Sequence, residues 1–537
     1  MLKPIEVYLR SSFPQLRNSS SQPYVVVTTN FILLKVSVKG TQWKLQKYVL
    51  KLNSEFQYSS FFVNWLMATK RSAHVIVLGD LSRSPRILSQ AQFLARDGWD
   101  VTISGYKPDS INHSNFKLRV LNIPTCPDFK ALHFPSFLVF IFKFIFTSIA
   151  LFFHLIKHCR SHLILIQNPP AVPTFIVVWI FMKITGRSLV IDWHNYGYTL
   201  VELISSRKSV FARLYYMLEV DFASYFMSRM PDRVAHLCVS KALKCDLEAK
   251  SIKATVYYDR PLEEFKATSV DAAHYLFMKL SDQYEVFKNE SGSCRLTRFT
   301  EVTALPTSTK NSKPIWRPDR PALVVSSCSW TPDDDFTLAI KALSIYDEAA
   351  QNPSSGLPNV VFAVTGRGPL RTYYAKLIKQ QNWKHVEVIM PWLEWSDYPV
   401  FLGCADLGIS LHRSSSGLDL PMKVVDLLGV NVPVLALGYS TLYELMEENK
   451  CGLCFGDSYQ LADQMCELLK PSCDPTIKYI HEPSRFLSVG SEKLIHFREF
   501  LTERNKTTVR GFTHWKNIAL PVYEKVVPMR SNKNKGS

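Results

Sequence analysis

The segment Ser414-Ser415-Ser416-Gly417-Leu418-Asp419-Leu420-Pro421-Met422-Lys423-Val424-Val425-Asp426 runs through Leu427-Leu428-Gly429-Val430-Asn431 into the apolar Val432-Pro433-Val434. A small polar loop, a helix start, a turn and an apolar strand, in that order, point to a doubly wound α/β sheet that binds a phosphorylated ligand. Pro421 suits the first turn of a helix, where no N–H partner is needed. On a helix starting there, Asp419, Lys423 and Asp426 stand at i, i+4 and i+7 and share one side. Val424, Val425 and Leu428 then point toward a core. The free N–H groups of residues 415–418, with Ser416 and Gly417 among them, and the positive helix end favour an anion. Asp426, deeper in, can accept hydrogen bonds from vicinal sugar hydroxyls. A solvated, salt-bridged helix face has the same pattern, and geometry alone leaves both readings open.

The chain of 537 residues is long enough for two or three domains, and 47% apolar with 20% charged residues describes a folded protein. Its formal net charge of +17 calls for an acidic partner: nucleic acid, an anionic membrane or a polyphosphate substrate. No zinc-finger spacing, RNP-like motif or basic heptad array supports nucleic acid. Eleven cysteines without a framework fit a reducing compartment. Residues 134–156 are strongly apolar, but Lys143 sits near their middle, where a lysine costs roughly 2.5–3.5 kcal/mol to insert. This segment reads as a helix lying in or dipping into a bilayer face, with a buried core helix and a true span as the alternatives. Residues 171–184 are too short to span and read as a helix ending at Gly186.

Residues 1–72 lack clear periodicity and stand apart as an extension, with a basic patch at 44–51 and a short apolar run at 61–67. A first Rossmann-like domain is expected over 73–260, with strands at 74–78, 99–105, 162–167, 187–192, 234–240 and 254–258 and a helix at 87–97. Residues 261–317 break the pattern and read as a linker or insertion, with one helix near 272–280. A second such domain is expected over 318–500, with strands at 322–327, 360–365, 386–390, 407–411 and 432–436 and helices at 333–347 and 397–404. Residues 501–537 close the chain as a helix and a basic tail. Two doubly wound halves joined this way face each other across a cleft.

The polar residues gather where these strands end. Gly79-Asp80-Leu81-Ser82-Arg83-Ser84-Pro85-Arg86 offers one carboxylate and two arginines on a strand-to-helix loop, without the Gly-Lys-Thr end of a phosphate-cradling Walker loop. Asp192-Trp193-His194-Asn195-Tyr196-Gly197-Tyr198 supplies aromatic faces and hydrogen-bonding groups suited to a sugar, with a histidine whose ordinary pKa allows base catalysis. The acids 333–335 read as helix capping rather than metal-binding. Gly366-Arg367-Gly368-Pro369 allows close backbone approach and adds a cation for a diphosphate. Pro391-Trp392-Leu393-Glu394 places Glu394 where a base edge or ribose could meet it. An ordinary turn, or a structural histidine, accounts for each of these loops equally well when it is taken singly.

Taken in order, Gly79-Asp80 with Ser84-Pro85-Arg86, Gln167-Asn168-Pro169-Pro170, Asp192 to Tyr198, Ser329-Trp330, Thr365 to Leu370, Pro391 to Glu394 and Ser414 to Asp426 resemble the chitobiosyldiphosphodolichol β-mannosyltransferases. The resemblance runs from about His74 to about Asp457, with an echo near Trp515. It implies a GT-B fold of two Rossmann-like domains. It also implies inverting transfer of mannose from GDP-mannose to the dolichol-linked chitobiosyl diphosphate, forming a β-1,4 bond at the cytosolic face of the endoplasmic reticulum membrane. On this resemblance Asp80, Asp192 and His194 are the candidate bases. Gly366, Arg367, Glu394, Ser416, Gly417, Asp419, Lys423 and Asp426 hold the donor, with Asp426 matching the ribose-binding acid of related retaining transferases. The first acid of their Glu-x₇-Glu pattern falls on Leu418, one residue before Asp419. Arg83, Arg86, Trp193, Asn195 and Tyr196 line the acceptor side. No tightly bound cofactor is implied, Mg2+ being at most stimulatory, and other mannosyltransferases of the pathway are candidate partners. The rival readings are a GT-B transferase with another nucleotide-sugar donor and an inactive scaffold that keeps the fold.

Overall fold

The structure, a computed structural model, describes residues 25–28, 31–34, 71–107, 118–127, 136–204, 210–289, 296–302, 313–331, 334–472, 485 and 489–527. The chain falls into two compact units, Met1–Thr69 and Lys70–Ser537. In the first, β1 (Val25–Thr28) and β2 (Phe31–Leu34) pair as an antiparallel hairpin. The basic patch at 44–51 and the apolar run at 61–67 lie outside the described residues.

The second unit holds two parallel sheets. The first is built from β3 (Ser72–Asp80), β4 (Asp100–Tyr106), β5 (Arg119–Asn122), β6 (Leu163–Asn168), β7 (Ser188–Trp193), β8 (Val234–Cys238) and β9 (Ala254–Val256), in the order β5-β4-β3-β6-β7-β8-β9. A small antiparallel pair, β10 (Thr300–Val302) with β11 (Pro314–Trp316), follows. The second sheet takes β12 (Ala322–Ser327), β13 (Val360–Thr365), β14 (Val386–Ile389), β15 (Leu407–Ser410), β16 (Val434–Leu437) and β17 (Gly452–Phe455), in the order β14-β13-β12-β15-β16-β17. Strands such as Leu189-Val190-Ile191 and Leu323-Val324-Val325 are fully buried. Helices cover both faces of such sheets, so the strands are continuous apolar runs rather than alternating ones. In each sheet the order reverses beside the first strand, between β3 and β6 and between β12 and β15. The crevice at such a reversal, beyond the carboxyl ends of the strands, is where ligands bind.

Residues 261–317 carry aromatic side chains that pack into the core of the second sheet. Phe265, Phe277, Phe287, Phe299 and Trp316 are buried with Leu323, Val361 and Phe401, and the Phe277 and Phe299 rings stack 4.9 Å apart. Their irregular spacing in the sequence hides a common destination. The helix Gly511–Val526 returns to the first sheet, burying Trp515 and Tyr523 beside Phe93. Ser188 Oγ donates to the Val526 carbonyl at 2.6 Å, and the Tyr523 hydroxyl donates to Gln90 Oε1.

The helix Ser136–Lys157 is long and apolar enough to cross a membrane by length and composition, yet only 17% of its apolar window is buried. Phe142, Ile149 and Phe153 are 48%, 53% and 66% exposed, which is inconsistent with a buried core helix. Ile184, Phe211, Met217 and Tyr225 extend the exposed apolar surface of the first half. Apolar exposure on this scale marks an interaction face.

One charged cluster anchors the second half. Asp406 accepts from Arg320 at 2.7 and 2.9 Å and from Arg485 at 3.3 Å, all three being buried. Asp406→Ala leaves two buried guanidinium groups uncompensated and is expected to cost about 3–5 kcal/mol. The urea midpoint of the variant measures this, and an unchanged midpoint would contradict it.

Candidate active site

The carboxyl ends of both sheets converge on a cleft of about 280 Å³. Arg83, Arg86, Gln167 and His194 line it from the first half; Ser329, His412, Leu420 and Lys423 line it from the second. Each of these residues follows or ends a strand, or begins the helix Met422–Gly429.

The first wall is organised around Asp192, at the end of β7 and fully buried. It accepts from Arg86 Nε at 2.8 Å, Arg86 Nη2 at 2.9 Å, Gln90 Nε2 at 2.6 Å and His194 Nε2 at 2.9 Å. Burial pushes the Asp192 carboxyl up, but the Arg86 guanidinium and His194 outweigh it and hold the group well below the usual carboxylate range. Arg86 also donates to Asp259 at 2.9 Å and lies over the Tyr257 ring at 4.5 Å. A carboxylate can only accept, so Nε2 of His194 is the donor to Asp192, which in the neutral ring leaves Nδ1 as the acceptor nitrogen. The backbone N–H of His194 donates to the Asn168 carbonyl at 2.9 Å. His194 thus stands at the cleft with its tautomer set from behind.

On the second wall, Lys423 Nζ lies 2.7 Å from Asp334, which also accepts from the Ser329 N–H at 2.8 Å. His412 Nε2 meets Asp419 at 3.1 Å. Burial pulls the His412 pKa down, yet Asp419 raises it overall; burial pushes Asp419 up, yet His412 lowers it overall. Burial, with Asp259 nearby, pushes Asp426 well above its ordinary value. The glycine loop packs backbone on backbone: Gly366 has φ +121°, and a Cβ on Gly368 would stand 1.8 Å from the Ser329 carbonyl oxygen.

The two walls touch directly. Asn195 Nδ2 donates to Ser415 Oγ at 3.0 Å, and Thr199 Oγ1 lies 2.8 Å from the same hydroxyl. Ser240 Oγ donates to the Leu418 carbonyl at 2.6 Å. Glu444 accepts from the N–H groups of Lys241 and Ala242 at 2.7 and 2.8 Å and from the Tyr258 hydroxyl at 2.7 Å. A carboxylate of one half therefore caps a helix of the other, Lys241–Ala249, at its positive end.

No family model matches the chain. Among curated proteins, the chitobiosyldiphosphodolichol β-mannosyltransferase of Mus musculus is 37% identical over 464 residues, covering 84% of this chain and 90% of its own length. That of Homo sapiens is 36% identical over 459 residues, covering 84% and 92%. This chain belongs to the chitobiosyldiphosphodolichol β-mannosyltransferase family. It is a glycosyltransferase. The family's relatives also include the Arabidopsis thaliana protein named UDP-glycosyltransferase TURAN, 35% identical over 491 residues, covering 86% of this chain and 99% of that one. Two solved structures share the architecture. Anabaena Alr3699/HepE in complex with UDP and glucose gives a TM-score of 0.52 at 14% identity, covering 84% of this chain and 100% of that one. The glycosyltransferase WaaG, involved in lipopolysaccharide biosynthesis, gives 0.52 at 12% identity, covering 83% and 98%. They establish the GT-B fold.

Several expected site residues of this glycosyltransferase sit elsewhere than expected. The helix begins at Met422 with Pro421 as its extended N-cap, so Asp419 precedes it, turns back to His412 and does not share a helix side with Lys423 and Asp426. Trp193 and Tyr196 are fully buried rather than open to a sugar; the Trp193 indole donates to His236 at 3.1 Å and the Tyr196 hydroxyl to Asp246 at 2.6 Å. Arg86 is 3% exposed and bound to two carboxylates. Asp192 has its oxygens filled by Arg86, Gln90 and His194 and presents no free base to the cleft. Asp80 caps the turn Leu81–Arg83 through Ser82 N–H and Oγ at 3.1 and 2.7 Å, with Lys107 at 3.3 Å. Burial raises its pKa, but the bonds from Ser82 and Lys107 lower it overall.

Arg367 lies exposed over the Trp392 ring at 3.4 Å, and Glu394 pairs with Lys279 at 3.1 Å on the surface. Ser416 Oγ accepts from the Leu418 N–H at 3.1 Å, and Gly417 adopts φ +74° with its N–H on Ser414 Oγ at 2.8 Å. Leu418, at the position of an expected acid, packs against the core of the first half. Sequence reasoning does not single out His412 or Glu444; Asp334, expected among the capping acids, instead pairs with Lys423 while Asp335 caps the helix, and Ser415 meets the first half through its hydroxyl. A strand-end signal for His412 was present, since it follows the apolar run 407–411.

Gly368→Ala is expected to force the loop away from the Ser329 carbonyl and to cost about 1–3 kcal/mol of stability, read from the urea midpoint. The His412–Asp419 pair also has a pH signature. Its histidine contribution is complete below 6.5 and lost as pH rises through the raised value; its aspartate contribution is complete above 3.8 and lost as pH falls through the lowered one. Between about pH 6 and about pH 9 the melting temperature should fall further in the native protein than in His412→Gln; parallel curves would contradict this.

Proposed function

We propose that this chain transfers mannose from GDP-mannose to a dolichol-linked chitobiosyl diphosphate, forming a β-1,4 bond with inversion. The observation that carries the reading is His194, backed by Asp192, facing the Lys423–Asp334 pair across the cleft in a member of this family. Inversion needs one in-line displacement. His194 Nδ1 takes the proton of the acceptor 4-hydroxyl as its oxygen attacks the anomeric carbon, while the bond to the GDP oxygen breaks. Asp192 keeps the imidazole oriented and stabilises the imidazolium that forms. Lys423 and Arg83 are the cleft cations placed to meet the charge growing on the departing diphosphate. Asp426, on the helix Met422–Gly429, suits accepting hydrogen bonds from the ribose hydroxyls.

Among the described residues no group of three or more His, Cys, Asp or Glu side chains is arranged to hold a metal ion. The exposed apolar helix Ser136–Lys157 and the net charge of +17 support seating on an anionic lipid surface. The endoplasmic reticulum membrane, with the cleft on its cytosolic side, is where such an acceptor would be met.

The assay supplies GDP-mannose or UDP-sugars with a chitobiosyl diphosphate on a polyprenyl-type lipid. A β-mannosidase-sensitive product from GDP-mannose alone is expected. Transfer from a UDP-sugar only would favour the donor class in the Arabidopsis relative's name; no transfer at all would favour a scaffold. His194→Ala should lower kcat by about 10²–10⁴-fold, and Lys423→Ala should lower it with little effect on acceptor KM. Native turnover in both variants would overturn the role assignments.

A further inference from the structure

Glu219 is a fully buried carboxylate that the proposed chemistry leaves unused. It lies in the π-helical turn Met217–Asp221, one of two consecutive turns of a type that is rare and recurs at functional sites. Every partner it has belongs to the first wall of the cleft. Its Oε1 accepts from Asn168 Nδ2 at 2.7 Å and from the Gly197 N–H at 2.7 Å; its Oε2 accepts from the Tyr198 N–H at 3.0 Å. Asn168 passes the restraint on. Its Nδ2 also donates to the Asn195 carbonyl at 3.1 Å, and its own carbonyl accepts the His194 N–H at 2.9 Å. Asn195 in turn holds Ser415 of the donor loop.

One buried carboxylate thus fixes both ends of the loop that carries His194 and Asn195. Tyr215 packs behind it, so closely that a Cβ on Gly197 would stand 2.6 Å from the Tyr215 ring. The outer side of the same π-helical stretch exposes Met217, Tyr225 and Phe226. The loop is therefore tied to the apolar face of the first half.

We propose that Glu219 is a positioning residue for the transfer reaction: through Asn168 and the Gly197 and Tyr198 amides it holds the His194–Asn195 loop in its reactive geometry. The proposal rests on the reading of that loop as the acceptor-side wall. All three groups facing the side chain are donors, and the ionised carboxylate, with two accepting oxygens, is the form that satisfies all of them. A glutamine must turn an NH₂ toward an N–H, and the loop must shift. Shifts on the order of 1 Å at a reacting group can cost about a hundredfold in rate.

Glu219→Gln and the shorter, still charged Glu219→Asp are compared with the native full-length chain, per folded molecule, in the transfer assay. The expected result is a fall in kcat of about ten- to a hundredfold, with donor KM within about twofold. Glu219→Asp keeps the test available if the glutamine variant does not fold. Asn168→Ala should show the same split, and the Glu219→Gln, Asn168→Ala double variant should be no slower than the slower single, because both act through one loop. Native kcat in folded Glu219→Gln or Glu219→Asp, or losses that multiply in the double variant, would overturn the proposal. A purely structural cap would lower the melting temperature and leave kcat per folded molecule unchanged. Failure of the mannosyl assignment is separately visible: it changes which donor the native enzyme uses, while this comparison is a ratio of variant to native with whichever donor works.

Discussion

Asp192 is a charge taken wholly out of water, and the first half of the molecule is arranged around that fact. An isolated buried carboxylate costs several kcal/mol of lost hydration, which a single partner does not offset. Here Arg86 forks onto it, Gln90 adds a third bond and His194 a fourth. Each partner ties in another element. Arg86 and Gln90 come from the helix Pro85–Arg96, Arg86 reaches Asp259, and Gln90 is met by Tyr523 of the C-terminal helix. The end of β7, the first helix and the last helix therefore meet at one carboxylate. The histidine at the cleft has its tautomer set by that same group.

The second half uses charge differently. Lys423 pairs with Asp334 and His412 with Asp419, and both cations stay partly open to the cleft. These partly open pairs can exchange partners at low cost, whereas the Asp192 cluster and the Asp406 cluster cannot without leaving a buried charge bare. The halves are joined across the cleft by hydrogen bonds of about 1 kcal/mol each. Asn195 and Thr199 to Ser415, Ser240 to Leu418, and Glu444 to a helix end all act at the loop 414–418 or beside it. The contact between the halves thus lies at the loop that leads into the helix Met422–Gly429 and, through Asn195, at the loop bearing the histidine.

Much of the framework was legible because parallel strands buried on both faces must be unbroken apolar runs. Residues 322–327, 360–365 and the helix Asp397–Cys404 were readable to the residue. The site was less legible, for specific reasons. Asp419 stands two residues before Pro421, so the i, i+4, i+7 spacing continues a helical pattern into residues that are not helical, and Asp419 turns back to His412. Side chains alternate along a strand, so Asp192 and His194 share one side while Trp193 faces the other. The alternation alone does not say which side is the cleft. Glu219 gave no signal, since an acid in an aromatic helical segment has the same local pattern whether it faces solvent or a ring of amides.

The order of strands, the polar loops at their ends and the family to which the chain belongs were determined by the sequence itself, because short-range patterning and motif order record them directly. Which carboxylates face the cleft, which are locked beneath it, and how the two halves touch were decided only in the tertiary structure. Those properties depend on partners far away in the chain: Arg86 is 106 residues from Asp192, Glu444 is 203 from Lys241, and Tyr523 is 433 from Gln90. No local pattern encodes a contact of that separation. Burial creates the demand for a partner, and only folding supplies it.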